Sequence, residues 1–162
     1  MIEITKNLFI GNQFDYEIKV KHQKDWLIIQ ACKEPYHRKA LGYSERGAPK
    51  GHPEYLIAVR GNRLILNLID CNDYKYMPVE IIDKAINFIE KNINDKKILV
   101  HCDRGESRSP SIGLIYMIKK RLLNISSFDN AVNDFKKIYP LYNPAKGFID
   151  FIKVNWDSYL NF

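Results

Sequence analysis

The chain has 162 residues, 46% of them hydrophobic and 27% charged, with a formal net charge of +6. That length fits one domain, here expected over 1–162, which buries roughly 70% of its unfolded surface and has the ordinary make-up of a soluble globular protein. No stretch approaches the ~18 apolar residues of a membrane span, and Cys32, Cys71 and Cys102, odd in number and widely spaced, exclude a disulfide framework and a structural zinc site.

Leu8–Gly11 and Trp26–Ile29 are short apolar runs of strand type. From Cys32 to Pro53 the chain turns polar and rich in Pro and Gly, which predicts a long surface excursion. Tyr55–Val59 and Leu64–Ile69, separated by Gly61-Asn62, read as a hairpin. Pro78 opens a helix in which Val79, Ile82, Ile86, Ile89 and Ile93 form an apolar stripe. Lys97–His101 is a buried strand, and Ser109-Pro110 starts a second helix, apolar nearly all round over Ile112–Ile118. Amphipathic helices over Phe128–Ile138 and Ala145–Trp156 complete an α/β layer architecture, with Cys102 at a strand-to-helix turn.

That turn reads His101-Cys102-Asp103-Arg104-Gly105-Glu106-Ser107-Arg108-Ser109-Pro110. A thiolate attacking phosphorus needs stabilised negative charge on sulfur, a cradle for the phosphoryl oxygens and a cation over the transferring group. Amide N–H groups from Asp103 to Arg108 curl round one tetrahedral oxyanion, because a turn at a helix N-terminus presents unpaired donors. The same donors favour an anionic sulfur at such positions. Gly105 permits backbone angles that a side chain forbids. Arg108, six residues after Cys102, brings a two-pronged guanidinium back over the pocket, which a Lys would not match. Ser109 offers its hydroxyl to the sulfur, and His101 fixes the loop without touching substrate. The chemistry requires no metal and no cofactor.

The segment resembles the C-x5-R signature of protein tyrosine phosphatases, and its Ser107-Arg108-Ser109-Pro110 ending is similar to the dual-specificity branch. Ile4 to Asn12 looks like the family's opening strand pair, and Ala85 to Cys102 resembles its helix and strand before the loop. Tyr142-Asn143-Pro144 with Gly147-Phe148 is similar to its C-terminal turn and last helix. The Cys32–Pro53 excursion matches poorly. The resemblance implies a central, mostly parallel sheet flanked by helices and a phosphatase working through a phosphocysteine. It also implies a general acid on a loop before the signature helix. Asp70, directly after the Leu64–Ile69 run, fits that position best, and Asp73 is the alternative. One of the two would then only stabilise the turn. Cys71 reads either as a resolving thiol for oxidised Cys102 or as an ordinary, partly buried cysteine. Cys32 reads as packing, and His22, His37 and His52 read as surface residues.

The expected substrate is a phosphorylated protein carrying phosphotyrosine, or phosphoserine and phosphothreonine. Glu106 in the loop argues against polyphosphoinositides, although Arg104 offsets part of that charge. An RNA 5′-triphosphatase would end its signature in Asn-Arg-Thr-Gly, which is missing here. A phosphate-reading module without turnover would lack the Cys, the Arg or the acid. Lysines and arginines are scattered from Lys19 to Lys137 without a block of interleaved aromatics, which argues for a solvated basic surface and against a nucleic-acid groove. The opening Met1–Lys6 lacks the features of a secretory signal, and free thiols suit a reducing compartment. The expectation is a cytoplasmic monomer.

Overall fold

The structure, a computed structural model, describes residues 1–161; position 162, the last of the expected domain, lies outside the described residues. Six strands form one sheet: β1 (Ile2–Thr5), β2 (Leu8–Gly11), β3 (Trp26–Gln30), β4 (Ile57–Arg60), β5 (Arg63–Leu66) and β6 (Lys97–His101). Their order is β1-β2-β6-β3-β5-β4. The central strands β2, β6, β3 and β5 run parallel, and antiparallel β1 and β4 close the edges. The sheet is therefore mostly parallel, as the resemblance implies.

Register decides what each face meets, because residues side by side in a parallel sheet share a face. Ile10, Val100, Ile29 and Leu64 form one such row; Gly11, His101, Gln30 and Ile65 form the next, on the opposite face. The first row lies under α3 (Arg108–Lys119), which packs on β2 and β6. Gly113 lets that helix sit directly on the strands: a Cβ there would fall 2.8 Å from Ile4 Cδ1 and 2.9 Å from Ile10 Cδ1. Every residue from Ser109 to Ile118 is buried, so α3 is the central helix its all-round apolar sequence predicts. Around it pack α2 (Val79–Asn92), α4 (Phe128–Ile138), α5 (Lys146–Val154) and α6 (Trp156–Leu160). The opposite face carries two wide helical turns, Asp15–Val20 and Lys33–His37, the second running into α1 (Arg38–Leu41). No helix among the described residues is long and apolar enough to cross a membrane.

Several local expectations are corrected. The stretch after Cys32 opens with helical turns and buried side chains, and is not wholly a surface excursion. Cys32, Tyr36 and His37 are all buried there. His37 is not a surface residue: Tyr43 Oη lies 3.3 Å from Nδ1, and the Glu54 carbonyl lies 3.0 Å from Nε2. The hairpin strands run shorter, because the β4–β5 ladder ends at the Ile57–Leu66 pair. Beyond it the Leu68 carbonyl accepts from Lys33 N–H at 2.9 Å, tying the following segment to β3's exit. The last helix breaks at Asn155, whose side-chain amide donates to the Phe151 carbonyl at 2.8 Å beside its own backbone N–H at 3.1 Å. Val79 stands in the first turn of α2 and is exposed.

Candidate active site

β6 delivers His101 and Cys102 to the C-terminal edge of the sheet, and α3 begins six residues later at Arg108. The short connection must turn back on itself. Gly105 makes this possible with φ +74, and a Cβ there would sit 3.0 Å from the Gly11 carbonyl oxygen. The turn aims the Gly105 N–H at Cys102 Sγ, 3.3 Å away. Ser109, in the first turn of α3, places its hydroxyl within donating reach of the same sulfur at 3.2 Å and of the Gly11 carbonyl at 3.0 Å, its single proton serving one acceptor at a time. Cys102 is buried, with its sulfur between a backbone donor and a hydroxyl donor.

Neighbouring segments brace the loop from outside. The Asp103 carbonyl accepts from Gln13 N–H at 3.1 Å, and the Glu106 carbonyl accepts from Asn143 N–H at 2.8 Å. Buried Tyr139 donates its hydroxyl to the Gly105 carbonyl at 2.8 Å. Gln13, Asn143 and Tyr139 were not among the expected site residues. Tyr142-Asn143-Pro144 carried a resemblance but no role, and nothing in the sequence around Tyr139 points to the loop.

A cavity of about 250 Å³ opens at the sulfur, lined by Asp70, Cys102, Arg104, Glu106, Ser107 and Arg108 together with Asn143–Ala145. Arg108 Nε is buried and has no hydrogen-bond partner among the described residues. Such a guanidinium nitrogen is costly unless an anion meets it. Arg104 and Glu106 pair with each other at 3.0 Å. Ser107 links the acidic loop to the cradle: its hydroxyl donates to Asp70 Oδ1 at 2.8 Å and accepts from Ala145 N–H at 2.9 Å. Asp73 does something else. Its Oδ1 accepts from Lys75 N–H at 3.0 Å and caps the short helical turn Tyr74–Tyr76. The structure thus brings Asp70, and not Asp73, to the cavity. Cys71 is half-buried, its thiol donating to the Asp73 carbonyl at 3.2 Å, and burial raises its pKa. Cys32 is fully buried, and burial pushes its thiol up to about 12.

His101 lies behind the loop. Its ring stacks on Tyr16 at 4.7 Å and meets the edge of Tyr36 at 5.1 Å, while Nδ1 faces the Cys102 carbonyl at 3.5 Å. Burial holds its pKa down, from the usual 6.5 to about 4. Between those values the unfolded chain binds a proton that the folded one refuses, so stability rises with pH across the window and is lost on acidification. The His101 contribution to loss between pH 7 and pH 4.5 is expected to be about 2–3 kcal/mol. Urea unfolding at both pH values should show that much extra acid sensitivity in the wild type relative to His101→Asn. Equal sensitivities would remove His101 as its cause.

Comparison with known proteins supplies the class. The family model for the dual specificity phosphatase catalytic domain matches residues 4–153, and the chain belongs to the dual specificity phosphatase family. It is similar to a probable dual specificity protein phosphatase of Dictyostelium discoideum, 35% identical over 91 residues, or 49% of this chain and 22% of that one. The dual specificity protein phosphatase YVH1 of Plasmodium falciparum is 37% identical over 86 residues, covering 52% of this chain and 14% of the relative. The match therefore spans less than a quarter of the length of either relative. Among solved structures, the human tyrosine phosphatase-like serine/threonine/tyrosine-interacting protein superposes with a TM-score of 0.68 at 18% identity, over 99% of this chain and 97% of that one. Human DUSP28 gives 0.66 at 15% identity, over 97% and 93%. These likenesses are to the fold.

Proposed function

We propose that residues 1–162 form one catalytic domain that hydrolyses phosphate monoesters on proteins, phosphotyrosine and also phosphoserine and phosphothreonine, through a phosphocysteine at Cys102. The observation that carries the reading is the convergence on one cavity of a sulfur with two hydrogen-bond donors, an unpartnered guanidinium nitrogen and a carboxylate. Arg108 and the loop amides hold the phosphoryl oxygens while Cys102 Sγ attacks phosphorus. An S–P bond forms, the ester P–O bond breaks, and Asp70 gives its proton to the leaving oxygen. Water then attacks the phosphocysteine and loses a proton to Asp70. The S–P bond breaks, with the Ser109 hydroxyl donating to the departing thiolate, and inorganic phosphate leaves.

The charges at the cavity favour a single phosphate. Arg104 is held by Glu106, so Arg108 is the cation left to meet the substrate among the lining residues. That supports phosphoprotein over polyphosphoinositide or triphosphorylated RNA. In the absence of metal, a simple aryl phosphate is expected to be hydrolysed and vanadate to inhibit it. Phosphopeptides are expected to turn over faster than phosphoinositides and triphosphorylated RNA at equal concentration. A reversed order would replace the substrate class, and aryl phosphate left intact in reducing buffer would leave a phosphate-binding module in place of an enzyme.

A further inference from the structure

A second cavity, of about 310 Å³, lies on the face of the sheet away from α3. Tyr16, Tyr36, Ala40 and Ile65 form its apolar walls, and Lys21, Lys39, Arg60 and Arg63 bring four cations to it against the one carboxylate of Glu17. That carboxylate is already engaged, by Lys21 at 2.7 Å and the Tyr36 hydroxyl at 2.9 Å. Arg60 is held by Glu54 at 2.7 Å. Arg63 reaches the Arg60 carbonyl only through Nε, at 3.4 Å, and Lys39 has no polar partner among the described residues. Glu17 and Glu54 thus offset Lys21 and Arg60, whereas Lys39 and Arg63 bring two further cations with no carboxylate partner among the described residues, a local excess that an anion would offset.

The sheet behind the cavity holds unsatisfied polar atoms, on residues that do not themselves line it. Gln30 stands in the register row between His101 and Ile65, and Ile65 lines the cavity. Both amide atoms of Gln30, and Nε2 of His101, are buried without a hydrogen bond among the described residues. Unsatisfied buried polar groups are destabilising, so native structures keep few of them. Two occur here side by side, on the face that holds the basic cavity.

We propose that this cavity is a second anion site, taking a phosphate-bearing ligand separately from the Cys102 cradle. Two arginines and two lysines suit a multiply charged tetrahedral oxyanion, since guanidinium forks hold paired oxygens and the lysines add point charge. The volume leaves room for more than a bare phosphate, and the two tyrosines offer flat apolar walls to whatever carries it. The site does not depend on turnover at Cys102. The phosphate has two possible sources, a free small molecule or a further phosphorylated residue of the substrate protein.

The test uses the full chain carrying Cys102→Ser and Arg108→Met, which disables the first cradle. Inorganic phosphate and then pyrophosphate are titrated at constant ionic strength, with chloride as control, while NMR follows the Arg60 and Arg63 Nε–H signals and the Tyr16 and Tyr36 amides. Saturating shifts are expected at these groups. Adding Lys39→Gln and Arg63→Gln should weaken binding by about tenfold, the worth of one or two charge-assisted hydrogen bonds. In the otherwise wild-type chain the same pair should leave aryl phosphate turnover within about twofold, being remote from the sulfur. Should the pair disturb folding, exposed Lys39→Gln alone is scored, with weakening of about threefold expected. Shifts that never saturate, that chloride reproduces, or that ignore these substitutions overturn the proposal. With saturation in hand, the peptides are bound to the chain carrying Cys102→Ser alone, whose first cradle keeps Arg108: a doubly phosphorylated peptide that outbinds its singly phosphorylated form only when Lys39 and Arg63 are present assigns the anion to the substrate. Equal binding of the two peptides assigns it to a free small molecule.

Discussion

Replacing Cys102 by Ser is expected to lower aryl phosphate turnover by about 10⁴-fold or more, with the fold and phosphate binding retained. The two side chains are nearly the same size, and the site is built around the position of one atom: the Gly105 N–H lies 3.3 Å from it and the Ser109 hydroxyl 3.2 Å. Those donors meet negative charge on the attacking atom, which sulfur carries more readily than oxygen. A serine nucleophile would need a base, and the nearest imidazole cannot serve. His101 is clamped between Tyr16 and Tyr36 with Nδ1 on a carbonyl, away from the sulfur position. Mass spectrometry of acid-quenched wild type should find a phosphate on Cys102, and vanadate should still bind the Ser variant. A Cys102→Ser chain with more than a few per cent of wild-type turnover would sink the phosphocysteine reading.

Asp70→Asn is expected to cost about 10²–10⁴-fold in kcat on phosphotyrosine peptide, the usual worth of a positioned general acid. The loss should shrink for aryl phosphates whose leaving group needs no proton. The geometry makes the assignment directional. Asp70 lines the cavity and is held there by the Ser107 hydroxyl, which the Ala145 N–H orients in turn. Asp73 spends its carboxylate on the Lys75 N–H. Asp73→Asn should therefore leave the leaving-group dependence unchanged and cost at most about 1 kcal/mol of stability as a weakened cap. If Asp73→Asn steepens that dependence while Asp70→Asn does not, the two roles are reversed.

The turn at Asp70 shows where sequence reading stopped. Two aspartates three residues apart, both polar and both near a strand end, look alike along the chain. Their difference is made by Ser107, 37 positions away, and by the start of α5, which sets the Ala145 N–H. His37 shows the same limit in the other direction. Its neighbours are polar and charged, so it reads as surface, but Tyr43 and the Glu54 carbonyl enclose it. Tyr139 is a third case, since its hydroxyl reaches Gly105 over 34 residues.

What the sequence determined alone is the signature segment and the fold class around it. Cys102, Gly105, Arg108 and Ser109 lie within eight consecutive residues, so spacing, glycine conformation and helix-terminus donors act over a few peptide units and are written into the local chain. The apolar strand Lys97–His101 and the all-round apolar α3 announce the layers in the same local way. Tertiary structure alone decided which aspartate lines the cavity at the sulfur, which distant groups brace the loop, and that four scattered cations meet in one cavity behind it. Those outcomes depend on side chains brought together across the sheet, and no pattern along the chain encodes that proximity.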